Sequence, residues 1–359
     1  MAGLRILYVI RPDAVQRTGG DAVQAIQTAQ ALRAMGHTVD IAASAQPDAR
    51  GYDIAHVFGV FDPLLARAQI DACRRSATPL ALSPIWWDLT EFYARSAAVE
   101  KALALREGAV EKRLARIRER CPRELTRARA RRAAAERKAA QRELMELAGV
   151  LLPNSTAEAY RYVVDLDLHH PRVHVVPNAV DAAAVEDALP AHPRKGVLCV
   201  GRVESRKNQA MMLYALREDD VAITLAGECY DGYYRRLCER WNKCVTFTGP
   251  LDRAQVFALM RRSLVHALPA WLETPGIASL EAAAAGCAIV AGNRASEFEY
   301  FGGDAAYCDP GSAQSIRAAV LGAIGCARGG ARETMRERLR TLTWRHAAQA
   351  TLEGYALLR

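Results

Sequence analysis

Two doubly wound α/β domains, built on parallel sheets and joined by a proline-containing linker, are the fold that this sequence predicts. Three observations carry that expectation. The chain has 359 residues, too many for one ordinary core of roughly 100–200. Short apolar runs alternate with segments of helical period, the pattern of parallel strands connected by crossover helices. The alternation is interrupted once, at DAAAVEDALPAHPRK (181–195), which has two prolines and no strand pattern.

The first domain is expected over 1–180. LRILYVI (4–10) is a continuous apolar run, a Gly19-Gly20 turn follows, and GDAVQAIQTAQALRAMGH sets Val23, Ile26, Ala29 and Leu32 at helical spacing before the strand TVDIAA (38–43). DIAHVFGV (53–60), PLALSPIWW (79–87), GVLLPNS (149–155) and VHVVPN (173–178) supply further short apolar segments. After the 181–195 linker, a second domain over 196–340 opens with GVLCVGRV (196–203) and continues through VAITLAGE (221–228), VTFTG (245–249), LVHALPAW (264–271), GCAIVAG (286–292) and AAYCDP (305–310). Two such domains would face each other across a cleft, with ligands at the carboxyl ends of the strands.

Composition removes several function classes. A hydrophobic share of 51% with 25% charge describes a soluble globular protein. The longest uncharged runs, 76–87 and 282–293, are twelve residues, short of the roughly 20 a membrane-spanning helix needs. MAGLRILYVI lacks a cleavage-like site and reads as a first strand rather than a signal peptide. Nine cysteines are scattered, none closer than Cys238 and Cys244, which argues against a zinc site or a disulfide framework and for a reducing cytoplasm. The net charge of +8 is concentrated: residues 95–146 hold 16 Lys plus Arg against 8 Asp plus Glu, so the rest of the chain sums to zero. This segment reads as two long helices broken near Cys121-Pro122. It is either a solvated face or a surface that meets anionic lipid head groups or an anionic acceptor. No aromatic or Gly-rich motif interleaves with the charge, so nucleic acid is not expected.

Two stretches carry chemistry. In ETPGIASLEAAAAG, Glu273 and Glu281 stand eight apart around the start of a small-residue helix. Its N-terminal residues Gly276, Ile277 and Ala278 would offer backbone N–H groups and a positive dipole end to a phosphate. Glu281 would accept from ribose hydroxyls, and Glu273 would reach a sugar or leaving group; alone, such a pair is equally an ordinary surface feature. GRVESRKN then places Arg202 and Lys207 in the loop after the first strand of the second domain. Two fixed cations there would neutralise a diphosphate and stabilise the charge growing on it as it departs.

TGGDAVQ…LRAMGHTVDI, VVPNAVD, VGRVESRKN, ETPGIASLEAAAAGCAIVAG, EYFGGDAAYCDP and TWRHAAQATLEGYALL resemble, in this order, the retaining glycosyltransferases of family 4 (group 1) on the GT-B scaffold of two Rossmann-like domains. The likeness runs nearly the whole length and is weakest over 62–147. It implies that Glu281 binds the ribose of a nucleoside-diphosphate sugar, Glu273 contacts the donor sugar, Arg202 and Lys207 hold the diphosphate, and Gly19 and Gly20 close the other side of the donor site. The helix over 341–359 would cross back to the first domain. Many relatives carry a His in the loop after the fourth strand, beside the transferred sugar; here it reads LSPIWWDLTEF, with Trp86, Trp87 and Asp88. Both tryptophans are either core or a platform for a sugar ring, and His56 is either a core residue or a sugar contact. The implied reaction is transfer to a carbohydrate or lipid-linked acceptor hydroxyl with retention, in bacterial surface glycan or glycolipid synthesis. Arg202 and Lys207 would stand where a divalent cation would otherwise be needed, so neither metal nor cofactor is expected. A nucleotide-sugar 2-epimerase on the same scaffold and a degenerate, non-catalytic scaffold protein are the alternatives. The expected location is the cytoplasm, including the inner face of the membrane if the basic segment binds lipid.

Overall fold

The computed structural model describes residues 3–14, 16, 19–105, 107–120, 128–186, 193–242, 245–274, 276–328 and 333–358. The chain divides into two units: Met1–Asp88 with Arg132–Val180 and Thr341–Arg359, and Leu89–Arg131 with Asp181–Arg340.

The first unit is built on β1 (Arg5–Ile10), β2 (Thr38–Ala43), β3 (Ile54–Phe58), β4 (Leu80–Ser83) and β5 (Val150–Leu151), in the order β2-β1-β3-β4-β5. Every pairing is parallel. β3 and β4 are buried along their whole length, which is why they read as unbroken apolar runs and not as an alternation. The chain steps to β2 on one side of β1 and to β3 on the other, so the carboxyl ends of β1 and β3 form a topological switch point. VHVVPN contributes only an isolated bridge between Val173 and Leu151. Helix Trp344–Ala356 packs on helix Gly20–Ala34 within this unit.

The second unit carries β6 (Lys195–Val200), β7 (Ile223–Ala226), β8 (Thr246–Gly249), β9 (Ser263–Leu268), β10 (Ala288–Gly292) and β11 (Ala305–Cys308), in the order β11-β10-β9-β6-β7-β8. It too is wholly parallel. Its switch point lies between β6 and β9, adjacent strands whose following segments wind in opposite directions.

The basic segment departs from expectation. Its first part forms helices Thr90–Leu103 and Glu107–Glu119, and these belong to the second unit, not the first. The cause is an apolar seam: Val99, Leu103, Val110, Leu114 and Ile117 lie in the same buried cluster as Tyr214 and Trp241. The expected single helix is instead two, the first ending at Leu103 and the second beginning at Glu107. There Trp241 Nε1 donates to Leu103 O at 3.0 Å, and Arg240 donates to Leu105 O at 2.7 Å, satisfying carbonyls that a helix end leaves open. Arg294 binds Glu91 at 2.9 Å and Asp309 at 2.8 Å, fixing the helix start to the exits of β10 and β11. A third helix spans Ala128–Glu146, while the break foreseen at Cys121-Pro122 lies outside the described residues. The foreseen linker begins as helix Ala182–Glu186 in the second unit, and 187–192 also lie outside the described residues. Among the described residues no helix is long and apolar enough to cross a membrane.

Candidate active site

The switch point of the second sheet gathers most of the charged residues that the sequence singled out. β6 ends at Val200 and its exit passes through Gly201, where φ is +138°. A Cβ on Gly227, at the exit of β7, would lie 2.3 Å from the Gly201 carbonyl oxygen, so glycine lets the two exits touch. A 3-10 turn, Ser205–Lys207, follows, closed by Asn208 in the left-handed region at φ +64°. The Asn208 amide donates to Pro269 O at 3.0 Å and to Pro310 O at 2.9 Å, anchoring this loop to those after β9 and β11. Trp271 N–H donates to Arg206 O at 2.9 Å, a second tie between the loops after β6 and β9.

Within that frame Lys207 Nζ donates to Glu273 Oε2, and both side chains are largely buried. Arg206 lies 3.9 Å from the same oxygen and donates to Leu272 O at 3.2 Å. Burial by itself would push the Glu273 carboxyl up; Lys207, Arg206 and Arg202 outweigh it and hold the group below the ordinary carboxylate range, ionised at neutral pH. Arg202 is more exposed and pairs with Glu204 at 3.3 Å. Gly276 lies against the Glu273 side chain: a Cβ there would be 3.1 Å from Glu273 Cγ. Gly276 also stands at the N-cap of helix Ile277–Ala284, where among the described residues no side-chain cap hydrogen bond is made, and the dipole end lies at Ile277 and Ala278. Beneath the loops, burial and the Lys207 charge push the His266 imidazole down to about 4; neutral, it accepts from Val200 N–H at 3.3 Å.

Glu281 stands one turn into that helix and is held by Arg253 at 3.1 Å. Burial pushes its carboxyl up, against the pull of Arg253. Neither Arg206 nor Arg253 was singled out by the sequence. Arg206 was visible as the neighbour of Lys207 in the same stretch. Arg253 carried no local signal, because it begins the helix after β8 and meets Glu281 only through the fold.

The first unit holds the remaining residues. A Cβ on Gly19 would sit 2.5 Å from Asp21 Oδ1 and would require that carboxylate to shift; Arg11 binds it at 2.8 Å. Gly20 opens helix Gly20–Ala34 with nothing within 4 Å of a hypothetical Cβ. His56 is a core residue: its ring nitrogens lie 2.8 Å from Tyr355 Oη and 2.9 Å from Ser83 Oγ, and burial pushes the imidazole down to about 3. It therefore fastens the terminal helix to β3 and β4. Trp86 is also core, with its indole N–H on Gln141 Oε1 at 2.8 Å. Trp87 is buried beside it, and its Nε1 has no hydrogen-bond partner among the described residues. Asp88 pairs with Lys138 at 2.8 Å.

Residues 194–325 match the family model of glycosyl transferases group 1. Over 127 residues, 32% of this chain and 33% of the relative, the sequence is 37% identical to a phosphatidyl-myo-inositol mannosyltransferase of Mycolicibacterium smegmatis. Over 199 residues, 51% of this chain and 48% of the relative, it is 29% identical to a glycogen synthase of Mycobacterium tuberculosis. The chain thus spans a third to a half of the length of these curated relatives. Among solved structures, a sucrose-phosphate synthase from Thermosynechococcus elongatus aligns with a TM-score of 0.73 at 15% identity, covering 98% of both chains. HepE from Anabaena, solved with UDP, aligns with a TM-score of 0.66 at 15% identity over 98% of this chain and 100% of that one. These likenesses establish the fold, the GT-B arrangement of two parallel-sheet α/β units.

Proposed function

We propose that this chain, whose residues 194–325 match the group 1 glycosyltransferase model, is such a transferase and moves a sugar with retention from a nucleoside-diphosphate sugar to an acceptor hydroxyl, without a metal ion. The observation that carries the reading is the Glu273 carboxylate set between Lys207 and Arg206 at the adjoining carboxyl ends of β6 and β9. A buried carboxylate beside cations and followed by a helix N-terminus is suited to a ligand that combines hydroxyls with a diphosphate.

In this reading Lys207 has N–H donors to share between Glu273 and a phosphate oxygen, and Arg202, paired with the partly exposed Glu204, swings onto the second phosphate. The dipole end at Gly276, Ile277 and Ala278 adds to that field. As the bond from the anomeric carbon to the phosphate oxygen breaks, negative charge grows where these groups already stand, so their reorganisation costs little. Glu273, kept ionised, accepts from sugar hydroxyls and orients the ring. Glu281 exchanges Arg253 for the ribose hydroxyls. The departing phosphate takes the proton of the acceptor hydroxyl on the same face, which yields retention without an enzyme nucleophile. The relative solved with UDP supports a nucleoside diphosphate as the leaving group. The mannosyltransferase relative, named for a phosphatidylinositol acceptor, supports a lipid-linked acceptor and a place in bacterial surface glycan or glycolipid synthesis.

The basic segment fits the same reading as a contact with an anionic membrane face. Lys112, Arg113, Arg116, Arg118, Arg120, Arg131, Arg132 and Arg137 are exposed along its helices. Each basic side chain near such a surface contributes about 1 kcal/mol.

Calorimetry with UDP, GDP, ADP and dTDP tests the proposal without knowledge of the acceptor. One of the four is expected to bind, and release of that diphosphate from its sugar conjugate in chelator is expected to continue. Binding of none of them would overturn the reading.

A further inference from the structure

Glu158 is a buried carboxylate of the first unit with four hydrogen-bond donors, and no step described above uses it. It is fully buried in helix Thr156–Leu166. Its Oε1 accepts from Trp86 N–H at 2.8 Å and from the Tyr162 hydroxyl at 2.7 Å, and its Oε2 accepts from Asn154 N–H at 2.8 Å. The backbone N–H of Ile85 also bonds to it. Three of these four donors belong to the backbone that leaves β4 and β5 at their carboxyl ends.

The loop it grips is strained. Ile85 has φ of +50°, in the left-handed region that a β-branched side chain rarely adopts. Such an outlier persists only where the surroundings over-determine it, and it points to a constraint on what the loop presents. The surroundings here are explicit. Trp86 is clamped through Gln141, whose Nε2 donates to Val60 O at 2.9 Å in the exit of β3. Asn154 Oδ1 accepts from Gln24 at 2.6 Å on the helix that follows β1. The exits of β3, β4 and β5 and the helix after β1 are thereby tied into one buried polar mesh along the carboxyl edge of the sheet. Glu158 is the member that reaches the strained residue.

We infer that Glu158 is a positioning residue for sugar transfer: by taking the N–H groups of Ile85 and Trp86 it locks the loop 84–88 in the conformation that presents Trp87 and Asp88 at the carboxyl edge of the first sheet. The inference rests on the glycosyltransferase reading above. It also accounts for the chemistry of the group. Burial pushes the Glu158 carboxyl up to about 7, while Tyr162 and the N–H groups of Trp86, Asn154 and Ile85 pull it back. A carboxylate retained in such a place, where every neighbour is a donor, is one whose acceptor capacity is needed.

The test compares wild type with Glu158→Gln, Glu158→Gln combined with Ile85→Gly, and Tyr162→Phe. Nucleoside diphosphate affinity is read by calorimetry with UDP, GDP, ADP and dTDP. Turnover is read as diphosphate release from UDP-glucose, GDP-mannose and ADP-glucose. Glu158→Gln, which turns one acceptor oxygen into an NH2 facing donors, is expected to keep nucleotide affinity within about twofold and to lower kcat roughly tenfold to a hundredfold. Adding Ile85→Gly, which adopts the turn without strain, is expected to restore most of that loss. Wild-type turnover in Glu158→Gln, a parallel loss of nucleotide affinity, or no restoration by Ile85→Gly would each overturn the inference. Should Glu158→Gln fail to fold, Tyr162→Phe removes a single hydrogen bond; a fall in kcat at constant affinity supports the role, and unchanged kcat rejects it. A wild-type protein that binds no diphosphate and releases none defeats the transferase reading instead. Loop-holding is then judged by amide hydrogen exchange at Ile85 and Trp86, which must quicken in Glu158→Gln for that part to stand.

Discussion

Lys207 and Glu273, 66 residues apart in the sequence, form a largely buried ion pair at the point where the second sheet reverses its winding. A pair so placed is costly to break from one side. Removing either partner leaves the other desolvated, and the usual penalty is about 3–5 kcal/mol.

Lys207→Ala is therefore expected to lower both stability and turnover, whereas Arg202→Ala, at a more exposed position, is expected to lower turnover with little change in melting temperature. For catalysis the loss from either is expected at roughly 2–4 kcal/mol in kcat/KM. The double variant Lys207→Met with Glu273→Gln tests the pair itself in a double-mutant cycle. A coupling energy near zero from urea melts would show that the two do not act as a unit.

The two glutamates are expected to separate by readout. Glu281→Gln keeps the size of the group but loses the ionised acceptor that the proposed ribose contact needs, so nucleoside diphosphate affinity is expected to fall by about tenfold. Glu273→Gln is expected to leave that affinity nearly intact and to lower transfer. Calorimetry that finds Glu281→Gln equal to wild type would return Glu281 to the role of a structural partner of Arg253.

Glu158 gives the fold a defined pH dependence. Its carboxyl titrates at about 7 in the folded protein against 4.5 ordinarily. Between those values the folded chain retains a proton that the unfolded chain has released, so stability from this group is full below 4.5, declines as pH rises towards 7 and is level above it. The whole change is roughly 3 kcal/mol. Subtracting the urea-unfolding free energy of Glu158→Gln from that of wild type, pH by pH, isolates it from the opposite trend of His56 and His266. Both of those are neutral when folded and destabilise the fold as pH falls below 6.5. A difference that stays flat from pH 4.5 to 7 would refute the assignment.

The basic helices are expected to bind membranes by charge alone. Co-sedimentation with vesicles of neutral lipid and of neutral plus anionic lipid, at low and high salt, should show pelleting only with anionic lipid at low salt, since the attraction fades within about 8 Å at physiological ionic strength. Changing Arg113, Arg116 and Arg120 to Gln, or Arg131, Arg132 and Arg137 to Gln, separates the contribution of helix Glu107–Glu119 and its end from that of helix Ala128–Glu146. Equal partition in every condition would leave both helices as solvated faces.

The sequence by itself determined the strand series, because strands buried on both faces must be continuous apolar runs and their exits need glycine or proline; β6 with Gly201 and β9 with Pro269 show this plainly. It also determined which loops carry charge, since Arg202, Lys207, Glu273 and Glu281 all follow strand ends. Only the tertiary structure decided which of these meet. Strand order is non-local, so nothing near Lys207 announces that β9 lies beside β6 and delivers Glu273 to it. Glu204 pairs with both Arg202, at 3.3 Å, and Arg206, at 3.1 Å, and Arg206 also lies 3.9 Å from Glu273, a sharing that only the folded loop sets. The helices over 90–119 joined the second unit for a similar reason. Their charge was legible in composition, but the seam of Val99, Leu103, Val110, Leu114 and Ile117 has meaning only against Tyr214 and Trp241. Glu158 was silent in the sequence, because a lone glutamate in a helix declares its burial only when the backbones of Ile85, Trp86 and Asn154 have been folded around it.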